Sequence, residues 1–226
     1  MKVWHFRWLF AGLSTVIWVA AIAMSYEPTV LGLSAEWTDG GYRFSGGTER
    51  WALGVAVLIA GLYVLLMNVT PSGTGRPLSA VFRRFVAFWL DFVLAMSISV
   101  PILGILPVVV EWRRTGVFAW TFVRTTPAAG DIPIAAVSTA IVFAALLFYY
   151  AIPTARRRPS PGACVVGYQV VPDNGGTLSL RRALLRALLG FVAVCGAWFA
   201  PFVGRDRKHG KFWLDRVFGT HATLLD

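Results

Sequence analysis

The chain has 226 residues, of which 57% are hydrophobic and 14% charged, and its mean hydropathy is +0.65. A water-soluble domain of this length needs more polar surface, so the composition points to an all-α, polytopic transmembrane helical bundle. The net charge of +10 comes without a basic groove bearing an aromatic stacking platform. Nucleic acid is therefore not an expected partner, and the Lys and Arg read as short cytoplasmic loops under the positive-inside rule.

Arg7 to Ser25 is the first long apolar run, preceded by Lys2 and His5. It has the make-up of a signal peptide, with Ala21-Ile-Ala23 as a cleavage site, but it is long enough to span and more spans follow, so an uncleaved helix is expected. Tyr26 to Arg50 is polar and glycine-rich, with Glu27, Glu36, Asp39 and Glu49 against Arg43 and Arg50. Its negative balance suits an external connector, with Tyr42-Arg-Phe44 as a short hairpin strand.

Trp51 to Asn68 is the second expected span. Thr70 to Arg84 holds Pro71, Gly73, Gly75 and Pro77 together with Arg76, Arg83 and Arg84 and no acid, which marks a cytoplasmic loop and a boundary in the chain. Phe85 to Val110 is the third span, which Pro101 and Pro107 are expected to kink or end. Glu111 to Asp131 is an outer connector whose Arg113, Arg114 and Arg124 run against that orientation, although the opposite loops carry more charge. Ile132 to Ile152 is the fourth span, with Tyr149-Tyr150 as an interfacial belt.

Arg156-Arg157-Arg158 returns the chain to the cytoplasm. Alternation over Val165–Val171 predicts a short strand or hairpin, followed by a turn at Asp173-Asn-Gly-Gly176. Ser179 is a candidate cap for a helix from Leu180 to Val203, initially amphipathic with Arg181, Arg182 and Arg186. The apolar part, 187–203, is a fifth segment that either spans or, given Gly190, Gly196 and Pro201, is re-entrant. Arg205, Arg207, Lys208, Lys211 and Arg216 favour a cytoplasmic tail.

Asp91 stands out inside the third apolar run. A carboxylate facing hydrocarbon costs several kcal/mol, so intramembrane acids are rare, inward-facing and paired. Seven residues put it about 10 Å along a helix from Arg84, about a third of the way across a hydrocarbon core of about 30 Å.

Four separated pieces of the sequence carry a resemblance. Arg84 lies seven residues before Asp91. Pro161-Gly162, Gly167 and Val170-Val171 form a pattern PGxxxxGxxVV. Leu178-Ser-Leu-Arg-Arg182 opens the next helix, and Asp215-Arg-Val-Phe-Gly219-Thr220 reads D-x-x-x-G-T. In this order and spacing they resemble the RDD family of bacterial membrane proteins, named for one arginine and two aspartates. The resemblance covers about residues 78–226, and residues 1–77 are read as an N-terminal two-helix extension with an external loop. It implies that Arg84, Asp91 and Asp215 are the candidate functional or structural ion pair. Leu214 stands where the family has His, and Phe218 where it has Ala. The tetrapeptide Phe-Trp-Leu-Asp recurs at 88–91 and 212–215, but no sustained repeat surrounds it.

Two roles compete for these three residues. In the structural one, Arg84 anchors the helix end and pairs with Asp215, while Asp91 bonds a polar side chain (Ser97, Ser99, Ser138 or Thr139) or a backbone group. In the other, Asp91 is a carboxylate at which protons and cations compete.

No Ser/His/Asp set or phosphate-binding glycine loop appears, so an enzyme is not expected and no cofactor is called for. Cys164 and Cys195 are not placed for a disulfide, and the scattered His5, His209 and His221 suggest no metal. The expected setting is the bacterial inner membrane. The expected partners are the lipid bilayer, anionic lipid headgroups at the basic loops, among them Asp206, Lys208 and His209, and a further copy or membrane protein.

Overall fold

A computed structural model describes residues 7–24, 32–38, 41–68, 73–77, 81–196 and 211–225. The chain divides into two compact units, Met1–Leu13 with Leu62–Val93 and Leu147–Asp226, and Ser14–Gly61 with Leu94–Leu146. The long helices are α1 (Arg7–Met24), α2 (Arg50–Asn68), α3 (Val81–Thr115) and α4 (Asp131–Ala155). Two of them, α3 and α4, are long and apolar enough to cross a membrane, while α1 and α2 carry the shorter apolar stretches Arg7–Ala20 and Arg50–Leu66. Four full spans thus exceed what length and apolarity establish.

Only 11% of the apolar window of α4 is buried. Val137, Ile141 and Phe143 stand exposed along it, as do Val57, Leu58 and Leu65 along α2. A core helix of a soluble protein hides such residues; hydrocarbon is the solvent that suits them.

The all-α expectation is corrected by two three-stranded antiparallel sheets. In the second unit, β1 (Gly32–Thr38) and β2 (Gly41–Gly47) form an antiparallel hairpin. Residues 32–47, expected mostly as connector, are thus largely strand, and Tyr42 to Phe44 sit within β2 as foreseen. Alternation buries Tyr42 and Phe44 on one face. The glycines at the end of β2 serve close approach: a Cβ on Gly104 of α3 would sit 1.9 Å from the Gly47 carbonyl oxygen.

Of the two outcomes expected for the third helix, a kink or an end at its prolines, the end does not occur. α3 passes through Pro101 and Pro107, both fully buried, and continues to Thr115. Buried neighbours accommodate a proline break inside a membrane helix. Its last turn is held by the Arg114–Glu111 pair at 2.6 Å and by the Thr115 hydroxyl, which donates to the Glu111 carbonyl at 2.9 Å.

Beyond it, β4 (Thr121–Arg124) adds to β2. Arg124 donates to Asp131 and lies 3.8 Å from Glu111, with its guanidinium 5.2 Å over the Phe44 ring. Asp131, 4% exposed, also accepts from Tyr42 at 2.8 Å and from the Ala128 amide at 3.0 Å. It stands at the N-terminus of α4, where a negative charge is favoured. Two of the three connector arginines, Arg114 and Arg124, thus have acidic partners close by.

In the first unit come α5 (Pro161–Val166), β5 (Tyr168–Pro172), α6 (Leu180–Gly196), α7 (Trp213–Phe218) and β6 (Thr220–Leu225). The stretch expected as strand over Val165–Val171 is half helix and half strand. The strand pairs with the tail rather than closing a local hairpin: β6 lies between β5 and β3 (Gly73–Pro77). The tail strand therefore joins segments of both basic loops in one sheet. Ser179 caps α6 as expected, its hydroxyl accepting from the Arg182 amide at 3.4 Å. The stretch 197–210, with Pro201, Arg205, Asp206, Arg207, Lys208 and His209, lies outside the described residues.

Candidate functional site

Asp91 is 3% exposed. Its Oδ1 accepts from the Tyr149 hydroxyl at 2.8 Å and from the Gly162 amide at 2.8 Å, and its Oδ2 accepts from the Ser160 hydroxyl at 2.5 Å. None of the four predicted side chains, Ser97, Ser99, Ser138 or Thr139, is among these partners; the predicted backbone group is.

The donors come from the end of α4 and the start of α5. Ser160 is the cap of α5, with extended backbone, and its hydroxyl also accepts from the Ala163 amide at 3.4 Å. Pro161 at the first helical position needs no partner for a missing N–H. Gly162 is required by proximity: a Cβ there would lie 2.3 Å from the Ala87 carbonyl oxygen and 2.9 Å from the Asp91 carboxyl carbon. Gly167 ends the helix in the left-handed region at φ 83°, with its N–H donated to the Ala163 carbonyl at 2.8 Å. Val170 and Val171 pair with Ala222 and His221 of β6. Each fixed position of the PGxxxxGxxVV pattern thus has a mechanical reason.

Asp215 is 1% exposed and Arg84 7%. The Arg84 guanidinium donates to Asp215 and lies 4.5 Å over the Phe212 ring, and Arg186 from α6 donates to the other carboxylate oxygen at 2.9 Å. Asp215 also reaches back to the Phe212 amide at 3.4 Å, as an acid in the first turn of a helix does. Gly219 closes α7 at φ 59°, and the Thr220 hydroxyl donates to Asp215 at 3.4 Å. This accounts for D-x-x-x-G-T. Burial pushes the Asp215 carboxyl up, but the fields of Arg186 and Arg84 and their hydrogen bonds outweigh it and hold the group below the usual carboxylate range.

Arg84 and Asp215 are therefore brought together, whereas Asp91 has neutral donors and pairs with neither. All three line one cavity of about 160 Å³, with Arg158, Arg186, Tyr150 and Tyr168. Leu214, in the place of the family's His, is buried and lines it too, so this position supplies no imidazole beside Asp215. Tyr149, Ser160 and Arg186 were not among the sequence candidates for the site. Ser160 directly before Pro-Gly was the available signal, since serine followed by proline is a helix-start pattern.

Tyr149→Phe removes one of the three donors to Asp91 without changing the ring. The expected loss is about 1 kcal/mol, read as a lower melting temperature of the purified protein; an unchanged value would remove that bond from the account.

The RDD family model matches residues 78–219. No curated protein and no solved structure matches the chain.

Proposed function

The chain belongs to the RDD family of membrane proteins, and from that premise we propose that it is a structural or scaffold component of a membrane complex, not an enzyme, in the bacterial inner membrane. The observation that carries the reading is the engagement of the signature residues. Both acids are satisfied by internal donors, and the elements they join are α3, α4, α5, α6 and α7. Such an arrangement fixes the shape of the basic side of the molecule and needs no passing ion.

In this reading α1 to α4 are four spans. The 18 residues of α1 reach about 27 Å, close to the hydrocarbon thickness. The loops bearing Arg83 and Arg156 to Arg158 face the cytoplasm together with the tail, where they meet anionic headgroups. The face offered to a partner protein or to a second copy is that same side.

The alternative is a small cation or proton transport component that uses Asp91. What favours it is the cavity, which has both Asp91 and Asp215 in its lining. The two readings part on one experiment. With Asp91→Asn, the scaffold reading expects unchanged cation-dependent proton movement in everted vesicles and altered complex assembly. Sodium- or potassium-dependent proton movement that this substitution abolishes would overturn the scaffold reading.

A further inference from the structure

The internal ties leave some donors of the cavity-lining residues unused. Its lining includes three guanidinium groups, Arg84, Arg158 and Arg186, against the two carboxylates Asp91 and Asp215, a surplus of one positive charge. Each guanidinium has five N–H donors. Asp215 takes one nitrogen of Arg84 and one of Arg186, while the Nε of each, and the Tyr150 hydroxyl, are buried without a hydrogen-bond partner among the described residues. Buried donors of this kind are normally met by an acceptor.

Other parts of the lining are hydrocarbon: Phe88, Phe191 and Leu214. At Gly190 an added Cβ would meet only Leu214, at 3.8 Å, so the cavity stays open beside α6. The position is also telling. Arg84 lies in the first turn of α3 and Arg158 just past the end of α4, so the arginines stand where apolar helices give way to basic loops.

We propose that this cavity binds a phosphate group, with the apolar wall accepting the chain of an anionic phospholipid that carries it. The two sources of the phosphate, lipid and free anion, share the arginine contacts and differ in their use of the wall. The inference needs only the membrane location; a failed assembly test leaves it standing.

The full-length protein, delipidated in a neutral sugar detergent, is titrated under native mass spectrometry with dioleoylphosphatidylglycerol, dioleoylphosphatidylcholine and inorganic phosphate. The expected result is one saturable phosphatidylglycerol site that phosphatidylcholine fills less well. Arg158→Gln, at an exposed position, weakens it about fivefold, the usual worth of one arginine at a lipid surface. Gly190→Leu, neutral and space-filling, removes it. Phosphate binding that Arg158→Gln weakens and Gly190→Leu spares identifies the free anion as the source. Equal binding of both lipids, unmoved by either substitution and with no bound phosphate, overturns the proposal. The melting temperature of Arg158→Gln, expected to match the wild type, shows that the fold is intact.

Discussion

Asp215→Ala is expected to cost about 4 kcal/mol, the largest effect of any single substitution in the first unit. The carboxylate is 1% exposed and is the acid between Arg84 and Arg186. Removing it leaves two cations, one nearly and one mostly buried, facing each other without a counter-charge, and breaking a buried pair on one side costs about 3–5 kcal/mol. Replacing the pair is a different matter: Arg84→Met with Asp215→Leu should recover much of the loss, because the desolvation of both charges is removed together. Unfolding midpoints of the two singles and the double, in one detergent, check this; additive losses would show that Arg84 and Asp215 are not coupled.

The same carboxylate makes a pH prediction. Its ionisation is held below the usual carboxylate range, so its contribution is complete above the unfolded value of about 3.9 and is lost as the pH falls through the lower folded value. Wild type should lose more stability on acidification than the Arg84→Met, Asp215→Leu double variant.

Gly162→Ala is the second large effect. Nothing in the helical backbone at Gly162 requires glycine, and alanine would raise helix propensity. The obstacle is purely one of space. The new methyl group would lie 2.3 Å from a carbonyl oxygen and 2.9 Å from the Asp91 carboxyl carbon, so α5 must move away from α3 and stretch the Gly162–Asp91 hydrogen bond of 2.8 Å. Overpacking together with a weakened charged bond is expected to cost about 2–4 kcal/mol. Gly190→Ala is the internal control, because the added carbon there meets only Leu214 at an ordinary 3.8 Å. It should be neutral, or stabilising by about 0.5–1 kcal/mol. Melting temperatures of the two variants that fall together would argue against the close approach at Gly162.

Much of this arrangement is legible in the sequence, for identifiable reasons. A charge in a long apolar run is conspicuous, which is how Asp91 and the loop arginines stand out. The order of short motifs points to Asp215 although nothing local marks it. The partners of Asp91 are not legible in the same way: Tyr149, Ser160 and Gly162 lie 58, 69 and 71 residues away, and periodicity carries no information at that range. Tyr42 to Phe44 of β2 and the valines of β5 are legible as strand, but β3 is hidden by composition: it reads Gly-Thr-Gly-Arg-Pro, without the β-branched run by which a strand is recognised. Asp131 looks like a loop residue because its role depends on Tyr42, 89 residues earlier, and on Arg124. Pro101 and Pro107 do not mark the end of α3, because a proline inside a membrane helix is tolerated where its surroundings satisfy the freed backbone groups.

Asp91 holds the start of α5 against α3 and α4. Amide hydrogen exchange on wild type and Asp91→Asn, in the same lipid environment, tests it most directly. An asparagine presents an NH2 group where one of the three donors now finds an oxygen, so exchange should quicken across 160–166 and then along β5, while α2 keeps its protection. Identical protection over 160–166 in the two proteins would contradict the account.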